Sequence, residues 1–140
     1  MNKTDLVAIR EGTEEDRNFV YATMLRGLYY GETHFSEIPK QTFMENYHNV
    51  VSRILQSPDT IFRVSCLKED PEVILAYVLL SRRSDAIHFS FCKKAWRNIG
   101  LVKSLVPRSI TSATHLTKVG LSLCRRKNIL YNPFLIPEIK

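Results

Sequence analysis

Six consecutive residues in the second half of the chain have the types and spacing that bind a phosphorylated ligand. They are Arg97, Asn98, Ile99, Gly100, Leu101 and Val102, and they stand between a strand-like stretch and a run with helical spacing. The N-terminus of a helix presents unpaired N–H groups and roughly half a positive charge, so it attracts anions. Gly100 has no Cβ between its backbone and a ligand, and Arg97 adds a forked donor. The segment predicts a diphosphate site, although the same glycine would also suit a plain strand-to-helix turn.

Basic residues are concentrated in the same part of the chain. Residues 93–140 carry ten lysines and arginines and one acidic residue, Glu138, whereas residues 1–92 carry ten basic and thirteen acidic residues. The two parts therefore have net charges of +9 and −3. This asymmetry indicates an anionic partner, which could be a phosphorylated cofactor, a nucleic acid or an acidic protein, or else simply a solvated basic surface. Lys93, Lys94 and Lys103 bring part of the charge close to Gly100.

The composition argues against several other classes of protein. Of the 140 residues, 44% are hydrophobic and 24% charged, as in a soluble globular domain. No stretch approaches the roughly 20 apolar residues of a membrane-spanning helix, and the first ten residues contain no secretory h-region, so we expect a cytoplasmic location. Cys66, Cys92 and Cys124 form no C-x-x-C pair, and the four histidines form no H-E-x-x-H pair. We therefore expect neither a disulfide framework nor a metal site.

The elements that must position the Gly100 segment follow from periodicity and from turn residues. We predict one domain over residues 1–140, since no repeat or linker divides the chain. Strands are expected at residues 6–10, 60–67, 73–80, 86–92, 109–116 and 129–136, and helices at residues 13–31, 43–55, 96–106 and 118–127. The second and third strands form a hairpin. The resulting order is β-α-α-β-β-β-α-β-α-β.

This order resembles the fold of the GCN5-related N-acetyltransferases (GNAT), an α/β (α+β) fold with a central mixed, mostly antiparallel sheet flanked by helices. In that family a segment (Arg/Gln)-x-x-Gly-x-(Gly/Ala) follows the fourth strand, and residues 97–102 match it except that Val102 replaces the small residue. The opening Val7-Ala8-Ile9-Arg10-x-x-Thr13-x-x-Asp16 is also similar to the family's first strand and helix start. The resemblance implies an N-acetyltransferase that uses acetyl-CoA (coenzyme A). It further implies that residues 97–102 hold the diphosphate and that the backbone of Phe91, Cys92 and Lys93 pairs with the pantetheine arm.

The resemblance also suggests candidate catalytic residues. Acyl transfer from a thioester needs a base for the amine, donors that polarise the carbonyl group, and an acid for the departing thiolate. The base is expected near the fourth strand, where Asp85 and His88 are the titratable candidates, and His88 has the unperturbed pKa closer to neutrality. Cys124 occupies the position of the family's usual tyrosine, and its thiol could protonate the thiolate or accept an acyl group. The alternatives are a strand histidine satisfied by a neighbour and a small core cysteine.

The acceptor implied by the resemblance is a primary amine of a small molecule or a protein. Tyr29, Tyr30 and His34, together with Phe35, cluster between the first two helices, where the family binds its acceptor. Packing between the two helices would account for the same residues.

Two other functions stay open at this point. The chain could keep the fold without the chemistry and dock on an acidic protein partner, as a small accessory protein of viral or mobile-element origin would; Cys124 and Val102 favour this alternative. It could instead bind nucleic acid through its basic half, including Lys118, Arg125, Arg126 and Lys127. Few aromatic residues interleave with these charges, which weakens the nucleic-acid alternative.

Overall fold

Six strands and three α-helices follow one another in the computed structural model, which describes residues 2–32, 34–115 and 129–137. They are β1 (Val7–Glu11), α1 (Arg17–Gly31), α2 (Lys40–Gln56), β2 (Thr60–Leu67), β3 (Ile74–Ser81), β4 (Ala86–Cys92), α3 (Leu101–Leu105), β5 (Ser112–Ala113) and β6 (Leu130–Tyr131). This order confirms the predicted one up to the fifth strand and again at the last strand. The helix predicted at residues 118–127 lies outside the described residues.

The strands form one sheet in the order β1-β2-β3-β4-β5-β6. The first four strands pair antiparallel, and β5 and β6 join the same edge in parallel. The prediction of a mixed, mostly antiparallel sheet is therefore confirmed. Because every strand lies beside its neighbour in sequence, β4 and β5 meet directly, and α3 with its preceding loop connects them.

Both faces of the sheet are covered, which explains why β3 is apolar along its whole length. All eight residues of β3 are buried. On one face, α1 and α2 pack against β3 through Val20, Met24, Leu28, Val51 and Ile54. On the other face, α3 packs against it through Leu101 and Leu105. Within the part of the chain that the structure describes, no helix has the length and apolar character that a membrane crossing requires.

Three predicted boundaries were wrong. The helix expected at residues 96–106 begins only at Leu101, because Asn98 and Gly100 have φ angles of 68° and 81°, which no right-handed helix contains. The strands expected at residues 109–116 and 129–136 each contain two paired residues. The last strand stops before Pro133, which has no N–H to pair, and Asn132 instead caps a short 3₁₀ turn.

A partly buried ion pair holds the junction between β1 and α1. Two guanidinium nitrogens of Arg10 donate to the two carboxylate oxygens of Asp16, at 2.7 and 3.0 Å. The same carboxylate accepts hydrogen bonds from the backbone N–H and the hydroxyl of Thr13, at 2.7 and 3.0 Å. The hydrogen bond from Arg10 is the main reason why the pKa of Asp16 lies below its ordinary value. The spacing Arg-x-x-Thr-x-x-Asp thus fixes the direction in which α1 leaves the sheet.

Replacing Asp16 with alanine should lower the free energy of unfolding at pH 7 by about 2–3 kcal/mol, because the change removes the cap and leaves Arg10 without its partner. Urea unfolding measures this difference, and Glu69→Ala, at an exposed turn position, is the control. Since the folded pKa of Asp16 is lowered, its contribution is present above the unfolded pKa of about 3.9 and is lost as the pH falls through the folded value. Equal stability of Asp16→Ala and the original protein at pH 7 would contradict the role of this pair.

Candidate functional site

Strand β4 contains one residue more than β3 can pair with. Leu80 pairs with Ile87 and Leu79 pairs with Phe89, so His88 has no partner opposite it on β3. An extra residue of this kind is a β-bulge, which bends the strand and increases its twist locally. The bulge lies in the middle of β4.

The bulge marks the point where β4 and β5 separate. On the N-terminal side of the bulge, β5 pairs in parallel with Ala86 and Ile87. The Thr114 N–H donates to the Ile87 carbonyl at 3.0 Å. Beyond His88, no strand among the described residues pairs with the outer edge of residues 89–92. This half of β4 therefore has an open edge that another extended chain could join.

Alternation along the strand identifies the polar groups at this open edge. The Lys93 N–H donates to the Leu75 carbonyl of β3 at 2.8 Å, so the backbone N–H and C=O groups of Lys93 face β3. Successive residues of a strand direct their backbone groups to opposite edges, so the backbone groups of Phe91, two residues before Lys93, also face β3. The backbone groups of Ser90 and Cys92 consequently face the open edge. Of the three residues expected there, Phe91, Cys92 and Lys93, the structure leaves only Cys92 at the edge, and sequence reasoning missed Ser90.

The loop after β4 presents a row of free amides. Gly100 is in the left-handed region (φ 81°, ψ 20°) and Leu101 begins α3. A left-handed residue followed by a right-handed one directs consecutive N–H groups into one concavity that binds anions. The amides of Gly100, Leu101 and Val102 donate no hydrogen bond within the described residues. A Cβ built on Gly100 meets no atom within 4 Å apart from the neighbouring residues Ile99 and Leu101, so there is room for a side chain at this position.

The side chains around the loop leave this concavity accessible. Arg97 is exposed, and its Nε donates to the Cys92 carbonyl at 3.2 Å, which holds the guanidinium at the end of β4. Val102, where the family has a small residue, is half-buried and packs into the cluster around α3. Asn98 and Lys94 are also exposed. The loop therefore combines free backbone donors with positive charge.

A buried chain of hydrogen bonds runs from α2 to the bulge. The Tyr47 hydroxyl is bonded to His115 Nε2. His115 Nδ1 lies 2.9 Å from the Thr114 hydroxyl and 2.9 Å from the His88 carbonyl. The Thr114 hydroxyl in turn lies 3.0 Å from His88 Nδ1. His88 and Thr114 are each 1% exposed and His115 is 7% exposed, so the chain is shielded from solvent.

Burial controls the protonation of this chain. It lowers the pKa of His88 to about 4, although Asp59 acts in the opposite direction. It also lowers the pKa of His115 to about 4, with a further lowering from His88. Burial raises the pKa of Tyr47. Both imidazoles are therefore neutral, and Tyr47 is protonated, at physiological pH.

The other predicted catalytic residues do not join His88. Asp85 is exposed in the turn before β4, with φ 47°, and its backbone carbonyl accepts hydrogen bonds from the amides of Thr111 and Ser112. It thus lies at the paired end of β4 rather than at the opening. Cys124 lies outside the described residues, as does the basic helix predicted around it.

The predicted acceptor residues surround the end of α1. The Tyr29 hydroxyl donates to the Ile38 carbonyl at 2.8 Å. Tyr30 is 55% exposed and lies beneath the amine of Lys40, which lowers the pKa of its phenol. His34 is exposed. No described hydrogen bond connects these three residues to His88.

Sequence reasoning missed Tyr47, Thr114 and His115 as members of the site. Tyr47 follows the apolar spacing of α2, which predicts a core position, and the two others lie in the short Ser/Thr-rich segment at β5. Thr114 and His115 are buried next to the buried Ala113, whereas Tyr47 stands among exposed residues of α2 and gives no such signal. Their association with His88 depends on contacts across 26 and 68 residues of chain.

The sequence matches no protein-family model and no curated protein, but solved structures share its fold. A Pyrococcus furiosus protein assigned as an acetyl transferase superposes with a TM-score of 0.59 at 17% identity, over 74% of this chain and 71% of that one. The aminoglycoside N-acetyltransferase AAC(6')-Iy in complex with CoA gives a TM-score of 0.51 at 13% identity, over 96% and 91%. Its complex with a bisubstrate analogue gives 0.50 at 15% identity, over 96% and 95%. The chain therefore has the GNAT fold, as the sequence predicted.

The two buried histidines should make stability depend on pH. Their folded pKa values of about 4 lie below the unfolded value of about 6.5, so unfolding takes up protons between these limits. Stability should therefore fall as the pH is lowered from 6.5 to 4, by up to about 2.7 kcal/mol per pH unit when both contribute. Denaturant unfolding across this range measures the slope. His115→Gln should reduce the slope by about half, and His34→Gln, at an exposed site, should leave it unchanged; equal slopes in all three proteins would contradict the buried neutral pair.

Proposed function

We propose that the chain is an acetyl-CoA-dependent N-acetyltransferase that acts on a primary amine of a small molecule or a protein. The observation that carries this proposal is the row of unpaired amides at Gly100, Leu101 and Val102, next to the open edge of β4 on a sheet of the GNAT fold. Acetyl-CoA would supply the acetyl group as an activated thioester. The remaining task of the protein is to hold this ligand and the amine in position.

The residues of the loop fit a diphosphate. The three consecutive amides donate no hydrogen bond within the described residues, and a Cβ on Gly100 would meet no atom within 4 Å apart from its chain neighbours. Arg97 is fixed through its Nε, and its terminal nitrogens form no hydrogen bond within the described residues, so they are free for a phosphate oxygen. Ile99 and Leu101 pack into the cluster around α3 and anchor the loop from beneath. Asn98, with φ 68°, turns the chain into this shape.

The open half of β4 suits an extended ligand arm. Such an arm pairs as a further strand would, through the backbone groups of Ser90 and Cys92. The Cys92 carbonyl already accepts a hydrogen bond from Arg97, which leaves the Cys92 amide and both groups of Ser90 for the arm. We assign the neighbouring Phe91 and Lys93 to supporting roles, since their backbone groups face β3.

Among the candidate catalytic groups, the geometry favours His88 over Asp85. His88 lies at the bulge where the strands separate, whereas Asp85 lies at the end where they are paired. Cys124 stays a prediction from the sequence. For the acceptor we infer a site near Tyr29, Tyr30 and His34, because two of these side chains are exposed beside the loop that joins α1 to α2.

Two isosteric substitutions test the diphosphate site. Gly100→Asn and Gly100→Asp both tolerate the left-handed backbone and have the same size, but only the aspartate adds a negative charge above the amides. We expect Gly100→Asp to bind CoA about tenfold more weakly than Gly100→Asn in low salt, because like charges meet in a partly desolvated site. Isothermal titration calorimetry measures the affinities, and matched thermal midpoints confirm that both proteins are folded. Equal affinities of the two variants, or absence of CoA binding by the original protein at millimolar concentration, would remove the proposal.

Turnover separates an enzyme from a protein that keeps only the fold. Release of free thiol from acetyl-CoA should depend on a primary amine, and the panel should include lysine peptides, polyamines and aminoglycosides, since AAC(6')-Iy is an aminoglycoside N-acetyltransferase. CoA binding without turnover on any amine would instead favour the non-catalytic alternative.

A further inference from the structure

His88 ends the buried chain of hydrogen bonds with a nitrogen that has no partner among the described residues. Its Nε2 is buried and forms no hydrogen bond within residues 2–32, 34–115 and 129–137, although the side chain is only 1% exposed. Folded proteins rarely leave a buried polar group unpaired, because desolvation of the group is then uncompensated. Of the four buried side-chain atoms without a partner in the described residues, His88 Nε2 belongs to the residue at the point where β4 and β5 separate, which makes it a candidate for a hydrogen bond to a ligand.

The protons along the chain of hydrogen bonds can be assigned in order, starting from His115. Its Nδ1 contacts the His88 carbonyl, which can only accept a hydrogen bond, so Nδ1 carries the proton. Because the ring is neutral, its Nε2 has a lone pair and accepts from the Tyr47 hydroxyl. The tautomer of His115 is thus fixed from both sides.

The Thr114 hydroxyl links the fixed tautomer of His115 to the tautomer of His88. Its hydroxyl lies within reach of two ring nitrogens, and the one on His115 already carries a proton. The single proton of the hydroxyl therefore goes to His88 Nδ1, the only acceptor within its reach among the described residues. His88 must then carry its own proton on Nε2. The hydrogen bonds run in one direction, from Tyr47 through His115 and Thr114 to His88, and end in an unpaired N–H donor.

The loop and the open edge of β4 indicate where a bound ligand would lie relative to this donor. The anion-binding loop follows Cys92, so an arm that leaves it and joins the open edge runs back along β4 toward residue 89. His88 is the next residue, where β5 closes the opening. The reacting end of the ligand is therefore held beside the bulge.

We propose that His88 is a hydrogen-bond donor to the carbonyl oxygen of the bound acyl thioester, and that Tyr47, Thr114 and His115 are positioning residues that hold its proton on Nε2. This inference rests on the proposed function. The oxygen gains negative charge as the amine attacks, so a fixed neutral donor stabilises it most in the transition state. No proton leaves His88 in this role, which therefore differs from the role of base that the sequence predicts for it.

The first test needs no ligand. In ¹⁵N-histidine-labelled protein, NMR should find His88 in the Nε2–H form, with assignment by loss of its signals in His88→Gln. Thr114→Val removes the hydroxyl at nearly constant volume and should give a mixture of both tautomers, whereas Thr114→Ser should preserve the original form. An Nδ1–H tautomer in the original protein, or an unchanged tautomer in Thr114→Val, would overturn the positioning role.

The second test compares ligands with and without the carbonyl group. Acetyl-CoA should bind about tenfold more tightly than CoA, the effect of one hydrogen bond to a buried donor. This preference should vanish in His88→Met, which has no donor, and persist in His88→Gln, whose amide presents an N–H at a similar position. Thermal unfolding checks that each variant is folded. If His88→Met does not fold, Thr114→Val replaces it, and its preference for acetyl-CoA should fall in proportion to the fraction of His88 that NMR finds in the Nε2–H form.

The two proposals fail in different ways. Equal binding of CoA and acetyl-CoA by the original protein, or a preference that survives in His88→Met, would overturn the donor role while the transferase function stands. Failure of the original protein to bind either ligand would overturn both.

Discussion

One unmatched residue in β4 determines how this sheet is used. A parallel neighbour can follow a strand only while both present their backbone groups in register, and the bulge at His88 ends that register between β4 and β5. On the N-terminal side of the bulge β4 pairs with β5, and on its C-terminal side no described strand pairs with the outer edge of β4. The free amides at Gly100 lie at the far end of this edge. An opening with a donor-rich loop at one end and a buried imidazole at the other follows from a single extra residue.

The bulge has a cost that the buried hydrogen-bond chain offsets. It turns the His88 carbonyl away from β3 and buries a polar side chain, and both groups need partners. His115 supplies the partner for the carbonyl, Thr114 the partner for Nδ1, and Tyr47 satisfies the remaining nitrogen of His115. The same contacts tie α2 to the two separating strands. The residues that supply hydrogen-bond partners to the distorted strand therefore also fix the position of a proton.

The sequence predicted what depends on local patterns and missed what depends on distant contacts. Element order follows from periodicity and turn residues and could be predicted, whereas the Arg10–Asp16 pair was not predicted although the two residues stand within seven residues of each other. The predicted start of α3 was wrong because asparagine, as at position 98, signals a positive φ angle less strongly than glycine does. The bulge could not be predicted, since register depends on how two strands meet. The roles of Tyr47 and His115 depend on that register in turn.

A binding site formed mainly by backbone groups is compatible with low sequence identity between proteins of the same fold. An anion held by peptide N–H groups, and an arm held by a strand edge, need a backbone shape and few particular side chains. In the proposed site Gly100 would contribute its left-handed conformation and Arg97 its charge, whereas Val102 packs into the cluster around α3. The proposed ligand would thus be bound mainly by atoms that every residue possesses. Proteins with different sequences can then share this geometry, because the backbone shape and not the side chains provides most of the contacts.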